Sequence, residues 1–152
     1  MTAAKLDERV DSLVRADHSR LAAVIDRGLA ILLTIEALAT VLLAWLYTPY
    51  AWAGTSASPH THLIAALLLG GGSASAVWYF VRTQAGAALT RHVVAAAFML
   101  MSALFIHVGG GRIEVHFAVF VSLAYLAAYR DVKVLLTGMV TIAVDHLGRG
   151  LL

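Results

Sequence analysis

From residue 28 onward the chain is a series of long apolar runs separated by short polar breaks. At 1.5 Å of rise per residue, about 20 apolar residues cross a hydrocarbon core of about 30 Å. Five runs approach that length, at roughly 28–47, 62–81, 92–108, 113–129 and 132–148. They predict an all-α fold, a polytopic transmembrane bundle of about five helices. The last three are at the short end of the spanning range, so they should stand nearly upright. Before residue 28 the pattern changes. Leu6, Val10, Leu13, Val14, Leu21, Val24 and Ile25 recur at three- and four-residue spacing among charges, which makes one apolar face of an amphipathic helix. The expected division is an amphipathic helix over 1–27 and a transmembrane domain over 28–152. Such a helix either lies on a lipid surface or docks onto a partner. Its balanced charge argues somewhat against anionic lipid.

Composition agrees with lipid. Of 152 residues, 61% are hydrophobic and 13% charged, with no Cys and a mean hydropathy of +0.83. A soluble domain is nearer 45–50% apolar and about 25% charged. Ten of the 20 charges fall in the first 27 residues, as five cations and five anions. This pattern excludes a soluble enzyme domain, a disordered tail and a disulfide-built module. It also makes the net charge of +2 a poor sign of nucleic-acid binding, because no basic face is present.

Lys and Arg set the orientation. With the N-terminus in the cytoplasm, Lys5, Arg9, Arg15, Arg20, Arg27, Arg82, Arg91, Arg130 and Lys133 lie inside, and Arg112 and Arg149 outside. Nine against two is a strong positive-inside bias. Trp45, Tyr47, Tyr50 and Trp52 mark one interface, and Trp78, Tyr79, Tyr125 and Tyr129 the other. Ala51-Trp52-Ala53 has the form of a cleavage site. The preceding run is too long and its leader too acidic, so an uncleaved signal anchor is expected.

Candidate chemistry gathers at one depth. Five of the seven histidines (His60, His62, His107, His116 and His146) fall at the outer ends of the predicted helices. Glu114 and Asp145 share that level, where a carboxylate can accept from an imidazole N–H and fix its tautomer. Imidazole and carboxylate without thiol suit Zn, Cu(II) or iron, and facing imidazoles also suit haem. Histidines that merely hydrogen-bond at a wet interface are the plain alternative. A shared metal site would need His62, His107, His116 and His146 to converge from four helices. Gly109-Gly110-Gly111 permits a tight turn that would bring His107 near His116. His92 belongs to the other end, where Thr90 is placed to cap a helix, and His18 is expected in solvent. Glu36 lies near the middle of the first run, where an ionised carboxylate is costly. Five helices with so few polar groups offer no evident transport pathway. Gly70, Gly71 and Ala74 give the second helix a smooth face for close packing. There is neither a His-Glu-x-x-His helix nor a Gly-x-Ser-x-Gly elbow, and a non-catalytic protein is expected.

Thr90-Arg91-His92, Met101-Ser102-Ala103-Leu104, Ile106-His107, Gly110-Gly111-Arg112-Ile113-Glu114, His116-Phe117, Tyr129-Arg130-Asp131, Asp145-His146 and Arg149-Gly150 occur in an order that can be compared with a known region. Over about residues 60–150 the chain resembles the histidine-rich multi-pass sensor region at the N-terminus of some bacterial chemoreceptors and sensor kinases. The resemblance implies membrane sensing in a bacterial inner membrane, and no particular ligand. Two departures stand out. That pattern has a second histidine after His116-Phe117, where this chain has Ala118, and it continues into a sixth helix and signalling domains beyond the equivalent of Leu152. The leading expectation is therefore a small accessory or stabilising subunit of a respiratory or photosynthetic membrane complex. Other integral membrane subunits and lipid would be its partners. The alternative is an outer-face metal- or haem-binding sensor module that signals through a separate protein.

Overall fold

The structure is a computed structural model and describes residues 3–151. Helix α1, Ala3–Tyr47, is one unbroken helix of 45 residues. No Pro or Gly interrupts it before Gly28, and Pro49 follows its end, where proline cannot continue a helix. The expected boundary at residue 27 is therefore absent. A change of polarity is not a change of backbone, and both halves carry good helix formers. Since the hydrogen bonding is continuous, the first half extends the axis of the second. It does not form a separate helix lying flat on a surface.

An antiparallel hairpin absent from the sequence reading follows. β1, Tyr50–Ala53, pairs with β2, Ser56–Pro59. Its turn uses Gly54 at φ +63°. Helix α2, Thr61–Gln84, starts with His60, whose Nδ1 accepts from the His62 N–H at 3.0 Å. One wide π turn, Ala66–Gly70, interrupts its α geometry. Helix α3 is Ala88–Val108. Helix α4, Ile113–Tyr129, opens and closes with a 3₁₀ turn. Helix α5 is Val132–Leu151, capped by Asp131, whose Oδ1 accepts from the Lys133 N–H at 3.0 Å.

Helix α3 is the centre of the bundle and packs on all four others. Val94, Ala95, Ala97, Phe98, Met99 and Met101 are buried around its circumference. Leu33 of α1, Val77 of α2, Leu126 of α4 and Val134 of α5 meet it, each fully buried. Gly138 lets α5 come close. A Cβ there would stand 3.2 Å from Leu126 Cδ1 and 3.4 Å from Met99 Cγ.

Four helices are long and apolar enough to cross a membrane: Lys5–Tyr47, Thr61–Gln84, Ala88–Val108 and Val132–Leu151. The fifth, Ile113–Tyr129, is apolar but shorter. All five expected runs are helices. Ile113–Tyr129 coincides with its apolar run, α2, α3 and α5 extend up to four residues beyond theirs, and α1 begins far before its own. Thr90 caps nothing. The helix begins at Ala88, and the buried Thr90 hydroxyl donates to the Gln84 carbonyl at 2.7 Å.

Candidate functional site: a four-histidine cavity

The hairpin, the start of α2, the end of α3, the start of α4 and the last turns of α5 lie at one end of the bundle. His62, His107, His116 and His146 all line a single cavity there, of about 470 Å³, together with Gly110, Gly111, Asp145 and Arg149. The four-helix convergence that a shared site requires is thus present, though not in the expected pairing. His107 packs edge-to-face on His62 of α2, centroids 4.7 Å apart. His116 packs on His146 of α5 at 5.8 Å. His60 stacks behind His62 at 4.3 Å.

The turn between α3 and α4 makes this possible. Gly110 N–H donates to His107 O at 3.1 Å and Gly111 N–H to Ile106 O at 2.9 Å, the two bonds of a Schellman closure. That closure needs a left-handed residue just past the helix. Gly110 supplies it at φ +71°.

Hydrogen bonds fix the tautomers. His116 Nδ1 lies 2.9 Å from Arg112 O and His146 Nδ1 3.1 Å from Ile142 O. A carbonyl can only accept, so both rings carry the proton on Nδ1. His62 Nδ1 lies 3.4 Å from Thr48 Oγ1, a hydroxyl that can donate or accept. His116 and His146 therefore keep a free lone pair on Nε2. This is the arrangement of metal-ligating histidines, whose other nitrogen donates to an oxygen. The donors come as two pairs, however, not as a closed set. Among the described residues no three His, Cys, Asp or Glu side chains are grouped closely enough to hold a metal ion.

The two expected carboxylates separate. Asp145 lines the cavity, but Arg149 holds it through Nε at 3.0 and 2.9 Å. Its Oδ2 is 3.6 Å from His146 Nδ1. Glu114 faces another space. It lines a cavity of about 350 Å³ between α1, α3 and α4, with Glu36, Thr40, Ser102 and Ser122. Ser102 and Ser122 bond each other there at 2.9 Å. Glu36 is half-buried on this cavity wall. Of the small residues of α2, Gly70 is buried, with Ala37 Cβ, Leu104 and Met101 all 3.7 Å from where its Cβ would be, and Ala74 packs against the core. Gly71 is exposed and has nothing within 4 Å of that position.

At the opposite end lies a cluster the sequence reading missed. Asp26 is fully buried. Its Oδ2 accepts from the Gly86 N–H at 2.7 Å and its Oδ1 from the Tyr129 hydroxyl at 2.5 Å. One carboxylate thus ties α1 to the α2–α3 turn and to the end of α4. Beside it Arg91 of α3 pairs with Asp131 at 3.2 Å, and His92 Nδ1 meets Thr137 Oγ1 of α5 at 2.7 Å. His18 is exposed, as expected. No family model matches the chain, and neither a curated protein nor a solved structure matches it.

Proposed function

We propose that the chain is the stimulus-binding part of a bacterial membrane sensor. Its bundle crosses the cytoplasmic membrane with the N-terminus inside. Its histidine cavity opens outward and takes up a divalent transition metal ion of the zinc or copper type. One observation carries the reading: histidines from four helices converge on one cavity, and His116 and His146 present a free Nε2. The excess of Lys and Arg at the opposite end supports the orientation. No step of catalysis is invoked.

Imidazole without thiol is a donor set for borderline divalent ions. Each pair offers two nitrogens and water can complete the shell. An ion recruited by both pairs would draw the α2–α3 end toward the α4–α5 end. The Arg91–Asp131 and His92–Thr137 contacts hold α3 to α5 at the far end. Closure therefore tilts helices about that clasp and passes motion to whatever polypeptide reads it. Haem fits less well, because the 4.7 Å between the His62 and His107 centroids leaves no slot for a flat macrocycle.

The test is equilibrium dialysis of the detergent-solubilised full chain against Zn²⁺ and Cu²⁺ at several pH values. About one ion per chain should be retained, more weakly as pH falls, because a ligating imidazole must give up its proton. His107→Ala and His146→Ala should each lose most of it, and His92→Ala should keep it. Equal retention by all three variants would overturn the reading.

A second reading, an accessory subunit of a respiratory or photosynthetic complex, has one observation in its favour. Leu6, Val10, Leu13 and Val14 are exposed on the half of α1 that projects past the bundle. Mass spectrometry of what stays with the chain at fixed ratio in mild detergent separates the two readings.

A further inference from the structure

The outward face of α1 carries a regular repeat that the bundle does not use. Val10, Val14, Asp17, Leu21, Val24 and Gly28 alternate in steps of four and three residues. Ile31, Ile35, Leu38, Leu42 and Trp45 continue the alternation without a slip. Every large apolar side chain of this series is between 46 and 66% exposed. The residues of α1 that enter the bundle, such as Ala22, Asp26, Leu33, Ala37, Thr40 and Ala44, lie on the other side. A strict 3.5-residue period over 36 positions is the pattern of a coiled-coil seam, and it drifts around a straight helix so that two copies wind left-handed.

We propose that this seam binds the same seam of a second copy, in a parallel two-helix coiled coil running the length of α1. Four arguments select that occupant. First, lipid can cover the half from Ile31 to Trp45 but not the half from Val10 to Val24. The unbroken helix carries that half away from the apolar segments, so it cannot also lie in their plane. Second, the partner must be a helix about 50 Å long, at 1.5 Å per residue, that passes from water into lipid at the same height. Another copy inserted the same way meets that demand by identity, and common insertion makes the pairing parallel and isologous.

Third, Gly28 is exposed on the seam in mid-helix with nothing within 4 Å of where its Cβ would be. Such a glycine weakens a helix and gains nothing within this chain. Across a two-fold axis it lets two backbones approach where the helices enter lipid. Fourth, Asp17 is the one charge in the seam. In a parallel pair it faces its counterpart with His18 of the other copy beside it, and Arg130 of its own chain lines the same shallow groove. A single polar seam residue fixes register at some cost in stability.

This inference does not rest on the metal reading. Loss of ion binding would leave the pairing untouched, and the reverse also holds.

The chain has no Cys, so single-cysteine variants of the full chain report cleanly. In isolated membranes treated with a short bismaleimide, Val14→Cys, Leu21→Cys, Val24→Cys and Ile31→Cys should give self-dimer at least tenfold above Ser12→Cys and Arg15→Cys. Gly28→Leu should cut the Val24→Cys product several-fold. Asp17→Leu should raise the Leu21→Cys product, which keeps the test decisive if Gly28→Leu fails to insert. A uniform profile, no dimer at any position, or conjugates to a different chain at the seam positions would overturn the proposal.

Discussion

The two ends of the bundle are built differently from similar side chains. At the histidine end, imidazoles from four helices meet in pairs around an open cavity, and their Nδ1 bonds go to carbonyls of their own segments or to Thr48. At the other end the polar groups bond across helices. Asp26 joins three parts of the chain, and Arg91–Asp131 and His92–Thr137 join α3 to α5. Contacts within an element leave the elements free to move relative to one another, and contacts between buried groups of different elements do not. One end is therefore the freer to change shape, and the other holds the helices together.

That contrast can be broken most severely at Asp26. Asp26→Ala leaves the buried Gly86 N–H and Tyr129 hydroxyl without an acceptor, and should cost about 3 kcal/mol. Denaturant unfolding of the solubilised chain measures it, and a loss below about 1 kcal/mol would remove the distinction between the ends. Gly86→Ala should cost about 2 kcal/mol in the same assay, since the residue is left-handed. Gly86 has φ +83°, and a Cβ would stand 2.4 Å from the Ser19 carbonyl oxygen. Gly110→Ala at the histidine end should cost only about 1 kcal/mol, the left-handed penalty alone, because nothing lies within 4 Å of its Cβ position. If Gly110→Ala proved the more damaging of the two glycine changes, the histidine end would be the rigid one.

How much of this was legible depends on how far apart in the chain the relevant partners lie. The five helices follow from runs of apolar residues, a local property. The shared depth of the outer histidines follows from the same runs. Which imidazole meets which does not, because pairing depends on helix rotation, and a π turn in α2 alters that rotation. The hairpin had a local signal in Gly54, overshadowed by the apolar runs on either side. The Asp26 cluster had none. Its partners lie 60 and 103 residues away, and in sequence Asp26 is one of ten charges in a balanced segment. The continuity of α1 was misread for a different reason. Hydropathy changes at residue 27 while helix propensity does not, and propensity governs the backbone there.

The π turn, Ala66–Gly70, also acts as a phase offset in α2. A π turn holds one residue more than an α turn, and one residue of α-helix is a rotation of about 100°. The segment carrying His62 is thus turned relative to the segment that seats Val77 and Val81 in the core. A chain one residue shorter between Ile64 and Gly71 could wind that stretch as regular α-helix, and the lost residue and the lost wide turn would offset each other in rotation. Its His62 would keep its aim at His107, whereas the present residues wound as regular α-helix would turn His62 about 100° away. The aim of His62 therefore depends on that one turn staying wide, a matter of local backbone geometry and not of hydropathy.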